Sequence, residues 1–150
     1  MTDAWARNKA TAAWIRRGAT ALAVARTAIG VAALASPALI ARPWVGPGAA
    51  KAAPGQVLGR ALGGRDLALG LGALAALQRT QAGAQPGAGV WVGMAALADS
   101  LDVVATAAAW DELPAVTRWL VAGSAAGAAA VGAVAAWSLI TGEPATSGPA

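Results

Sequence analysis

Four apolar stretches set the terms for this chain. They run from about residue 18 to 40, 57 to 77, 88 to 109 and 115 to 140, and polar or Pro/Gly-rich segments separate them. Each is near the roughly 20 residues that a helix needs to cross about 30 Å of hydrocarbon. None alternates with period two over a useful length, so the pattern predicts helices rather than a barrel. The separators agree. ARPWVGPGAAKAAPG, residues 41–55, reads as an exposed loop, and QRTQAGAQPG, residues 78–87, as a polar one. DELP, residues 111–114, reads as an acidic turn whose Pro114 can open the next helix. TGEPATSGPA, residues 141–150, has the composition of a disordered tail. The expectation is one all-α domain, a four-helix transmembrane bundle with short loops.

Composition narrows the chemistry. Hydrophobic residues make up 57% and charged residues 12%, against about 25% charged in an ordinary soluble domain. Cys is absent, which removes disulfides, thiolate nucleophiles and thiolate metal sites. His is absent too, and with it the commonest metal ligand and the usual general base. No catalytic residue, metal or cofactor is therefore expected; in a membrane enzyme only aspartate would serve as acid or base. The net charge of +4 is scattered, without the basic face interleaved with aromatics that nucleic acid wants. The expected partners are the lipid bilayer and either a second copy of the chain or another membrane protein.

The tryptophans mark the ends of the stretches. Trp14 and Trp44 flank the first, Trp91 and Trp110 the third, and Trp119 and Trp137 the fourth, while Trp5 lies in the N-terminal lead. The last two intervals correspond to roughly 27–28 Å of helix, the spacing of interfacial aromatic belts. Arg7, Lys9, Arg16, Arg17 and Arg79 fall on one side, and Arg42, Lys51 and Arg118 on the other. That bias predicts an inner-membrane protein with both termini cytoplasmic. A signal peptide ending at Ala33-Leu34-Ala35 is the competing reading of residues 1–36, but Arg26 interrupts its apolar core.

Six ionisable residues lie inside the apolar stretches: Arg26, Arg60, Arg65, Asp66, Asp99 and Asp102. A central charge costs about 2.5–3.5 kcal/mol on insertion scales, so unpaired charges are not sustainable there. In antiparallel neighbours Arg65 and Asp102 share a depth about 10–12 Å below one edge. Asp99 and Asp102, three residues apart, face one way. Arg65 and Asp66 are adjacent and diverge by about 100° around a helix, so they are expected to face different partners rather than neutralise each other. Arg26 falls near the level of Asp99 if Pro37 ends the first helix. These six are the candidate polar cluster. Read structurally, it fixes helix order and register; read functionally, it is a site for a proton, a cation or a small polar ligand. Three charges of each sign favour the structural side. Gly59/Gly63, Gly89/Gly93 and Gly123/Gly127 have the spacing that lets helices approach closely in lipid. Gly70 to Ala75 also matches a dinucleotide fingerprint, but mid-helix and with no preceding strand it is not one.

Arg60, the run Arg65-Asp66-Leu67-x-Leu69-Gly70 and Asp99-x-x-Asp102 resemble a family of small four-helix integral membrane proteins frequent in actinobacteria. Its architecture is similar to that of the DoxX-like membrane proteins. The resemblance covers about residues 18 to 140 and implies a multi-pass inner-membrane protein, with no established activity to carry over. The expected function is a non-enzymatic membrane protein in a structural or accessory role. The alternative is a small transporter or channel component that uses the Arg/Asp cluster.

Overall fold

The computed structural model describes residues 2–81 and 87–142, with side chains described for residues 10–79 and 87–141. Among these residues all regular structure is helical. The elements are α1 (Thr2–Ala35), α2 (Pro37–Lys51), α3 (Ala53–Gln81), α4 (Ala88–Ala108), a single 3-10 turn at Trp110–Glu112, and α5 (Thr117–Gly142). Three of the five helices, α1, α4 and α5, are long and apolar enough to cross a membrane. At 29 residues α3 is long enough, but Arg60, Arg65 and Asp66 in its middle lower its hydropathy.

Residues 41–55, expected as an exposed loop, are mostly helix. Pro37 opens α2 within its first turn, where its missing N–H costs nothing. The helix then bends at Gly46, whose φ of 83° falls between Pro43 and Pro47. Only glycine takes that conformation without strain, and Pro47 has no N–H with which to continue the ladder. Gly46, Ala41 and Ala50 are buried, so α2 packs against the bundle instead of standing in solvent. The helix before the 78–87 loop also runs on to Gln81, and α5 runs on to Gly142. Residues 82–86 and the rest of the expected tail, 143–150, lie outside the described residues.

The closest helix pairings are α1 with α3 and α4 with α5. Glycine makes both antiparallel seams. A Cβ on Gly63 would stand 2.8 Å from Ala33 Cβ and 3.0 Å from the Gly30 carbonyl, and one on Gly30 would stand 2.5 Å from the Leu67 nitrogen. Gly59 meets Pro37, and Gly70 meets Thr27 and Ala23. In the second seam Gly89 lies on Ala136 and Ile140, and Gly132 on Ala96. The buried core is correspondingly small in side chain, with Ala19, Ala23, Ala73, Ala88, Ala135 and Ala136 among its members. Large apolar residues point outward: Val24, Leu71, Met94, Leu101, Val104, Leu120 and Val134 are all exposed. That distribution suits helices whose surroundings are as apolar as their interior. Several hydroxyls satisfy themselves within their own helix. Thr20, Ser138 and Thr141 each donate to a carbonyl four residues back, which lets them sit on an apolar face without an orphaned polar group.

Candidate functional site

Five of the six candidate residues meet between α1, α3 and α4. Arg26 Nη1 donates to Asp66 Oδ1 at 2.9 Å, and Arg26 Nη2 pairs closely with Asp99 Oδ2. Arg65 Nη1 and Nη2 donate to Asp102 Oδ1 and Oδ2, both at 2.8 Å. This is the two-pronged geometry for which a planar guanidinium is suited. Arg65 Nε and Nη2 also donate to Asp66 Oδ1, at 3.1 and 3.0 Å. Arg65 and Asp66 thus face different partners, Asp102 and Arg26, as their divergence implies, and in addition they contact each other. Their Cα–Cβ bonds do diverge, but the arginine stem is long enough to bring its guanidinium round to its neighbour. The result is one chain of contacts: Asp99, Arg26, Asp66, Arg65, Asp102.

Arg60 does not join it. Its side chain is exposed and donates to Gln56 Oε1 at 3.3 Å, one turn back on α3. The expected balance of three against three falls with it. Two arginines face three aspartates, and one carboxylate is in excess.

The cluster is mostly shielded. The side chains of Arg26, Asp66 and Asp99 retain 13%, 15% and 11% of their accessible surface, and Arg65 retains 29%. Arg26 spans an open interval, because α1 and α4 hardly meet along their backbones. That interval is a cavity of about 400 Å³. Arg26, Asp66, Asp99 and Asp102 line it together with apolar residues from all five helices, including Leu22, Ile40, Val92 and Val121. A smaller cavity of about 90 Å³ lies against Arg65, and Asp66 and Asp102 line both.

Two further residues belong to this centre. Trp44 Nε1 donates to Thr106 Oγ1 at 3.1 Å, and Thr106 Oγ1 donates to the Asp102 carbonyl at 2.7 Å. Thr106 is fully buried. Spacing offered a signal for it, since Asp99, Asp102 and Thr106 recur at three and four residues on one helix face. Trp44, which flanks the first apolar stretch, turns inward and lines the main cavity. Trp91, Trp119 and Trp137 are exposed near helix ends, whereas Trp14, also exposed, lies in the interior of α1. Trp110 packs edge-on against Trp119, with ring centres 4.6 Å apart, under the guanidinium of Arg118. The side chain of Trp5 lies outside the described residues.

Among the described residues no group of three or more Asp or Glu is arranged to hold a metal ion. No family model matches the chain, and no curated protein or solved structure does.

Proposed function

We propose that the chain is a non-enzymatic, multi-pass inner-membrane protein whose Arg/Asp cluster is a ligand site, in a small transporter or channel component. In this reading α3 crosses as a fourth helix of the bundle. Its charges are tolerable there because α1 and α4 supply their partners, and exposed valines and leucines face lipid. An even number of crossings puts both termini on one side, which the Lys/Arg bias makes cytoplasmic. The likeness of the Arg65-Asp66 and Asp99-x-x-Asp102 runs to a four-helix membrane family points the same way.

One observation carries the ligand reading. The charged cluster is not sealed between helices but forms part of the wall of a cavity of about 400 Å³, within the roughly 300–1,000 Å³ of small-molecule sites. A purely structural lock is the second reading, and the two-pronged Arg65–Asp102 pair favours it.

Labelling in native membranes with the apolar reagent dicyclohexylcarbodiimide, which attacks protonated carboxyl groups, separates the two. The ligand reading expects a carbodiimide adduct on Asp99 by peptide mass, absent from Asp99→Asn. If no cluster carboxylate reacts, the structural lock is the better account. A C-terminal reporter active only outside the cytoplasm should stay silent; strong activity would end the four-crossing count or the orientation.

A further inference from the structure

The cavity wall narrows the ligand further. Excess negative charge repels anions. Asp99 receives one hydrogen bond, through Oδ2 from Arg26. All three donors to Asp66 converge on its Oδ1. Among the described residues no donor reaches Asp99 Oδ1 or Asp66 Oδ2, and both residues line the main cavity. Two such oxygens are too few for a bare divalent ion, which takes about six or more oxygen ligands. Apart from Arg26, already paired with both carboxylates, and Ser124, whose hydroxyl donates to the Val121 carbonyl, the rest of the wall is mostly alkyl: Leu22, Ile29, Ile40, Val92, Val121 and a run of alanines. Trp44 adds an indole, whose face attracts a cation through its quadrupole.

We propose that this cavity binds a small organic monocation, an alkylammonium-type ligand whose charge lies beside Asp66 and Asp99 and whose body lies on the alkyl wall. The proposal rests on the reading of the cavity as a ligand site. One positive charge neutralises the excess carboxylate, and a proton does the same. Ligand and proton therefore compete for the site.

Isothermal titration calorimetry on the full chain in detergent tests this, with tetraethylammonium as the probe and benzenesulfonate as the anionic control. Tetraethylammonium should bind once per chain and benzenesulfonate not at all. As pH is lowered into the range where the proton competes, affinity should fall by about tenfold per pH unit, because each binding event then displaces one proton. Asp99→Asn and Asp66→Asn should each weaken binding by more than about tenfold, as removal of one member of a desolvated charge pair does. Arg60→Gln, outside the cluster, should bind as the unaltered chain does. Circular dichroism confirms that the variants are folded. Failure of the folded, unaltered chain to bind tetraethylammonium overturns the proposal. So does binding that survives both Asn substitutions. If tetraethylammonium fails while carbodiimide still labels Asp99, the organic cation is wrong and the ligand-site reading stands. If both fail, both fall.

Discussion

The two helix seams and the space between them are built on opposite principles. Along α1–α3 and α4–α5, glycine and alanine bring backbones so close that a single methyl group would collide. Between the pairs the packing is uneven: Trp91 of α4 lies on Gly72 of α3 and an apolar core is shared by both pairs, but α1 and α4 stand apart at the level of Arg26, and long side chains bridge the gap there: Arg26 reaches from α1 to α3 and α4, and Arg65 from α3 to α4. Close contact holds each pair; between the pairs, charge at the level of Arg26 adds to a shared apolar core. Dispersion falls off within an ångström of the optimum, so it cannot act across the open α1–α4 interval. Ion pairs of low-dielectric surroundings can. A cavity is the natural companion of that arrangement, since the charges occupy only part of the space they cross.

The sharpest way to break this contrast is to cut the charged tie. Arg26→Leu leaves both Asp66 and Asp99 short of a partner. Removing one member of a buried pair typically costs about 3–5 kcal/mol, and the loss here should reach at least that, read as thermal stability in detergent. Arg65→Leu and Asp102→Leu should each cost a similar amount, and the double variant should recover most of it, since replacing a whole buried pair is often near neutral. Losses that simply add would mean that the two residues do not interact.

The seams should respond to size rather than charge. Gly63→Leu drives a side chain into Ala33 and the Gly30 carbonyl, and overpacking of that kind costs about 1–3 kcal/mol or more. Gly123→Leu has the same sequence context of a paired glycine, but nothing lies within 4 Å of it. It should be neutral, or gain up to about 1 kcal/mol from better helix propensity. Equal losses for the two would abolish the distinction between seam and surface.

The smallest effect belongs to the polar link between α2 and α4. Trp44→Phe removes the hydrogen bond to Thr106, worth about 0.5–1.5 kcal/mol. Adding Thr106→Val should then cost less than it does alone, because the shared bond is already gone. Full additivity would show that Trp44 acts by packing only.

Much of this contrast was legible in the sequence, and its failures are instructive. Apolar length and breaks placed α4 and α5 within two residues of their observed bounds. Depth counting set Arg65 level with Asp102. Glycine spacing was ambiguous by nature: Gly59 and Gly63 lie in a seam while Gly123 and Gly127 are open, and a repeat of four says nothing about which face has a neighbour. Pro43, Gly46 and Pro47 suggested a loop because each weakens a helix locally; burial of Ala41, Gly46 and Ala50 outweighs that preference. Arg60 was grouped with the cluster because it lies in the same apolar run. It sits five residues before Arg65, about 140° away around the helix, and faces outward. The charge surplus depended on that one assignment, so the sequence pattern pointed towards neutrality.

In the chain of five charged groups, Asp66 is the articulation point. The two ends are each complete without it: Arg26 with Asp99 joins α1 to α4, and Arg65 with Asp102 joins α3 to α4. Every path from one end to the other passes through a single oxygen, Asp66 Oδ1. Removing Asp99 or Asp102 shortens the chain but leaves it connected. Removing the Asp66 carboxylate divides it into two neutral pairs with no link between them. Asp99 and Asp102, one turn apart on α4, still feel each other's charge directly, but the hydrogen-bonded link between the two pairs runs only through the middle member, and Asp66 decides whether the polar centre is one network or two.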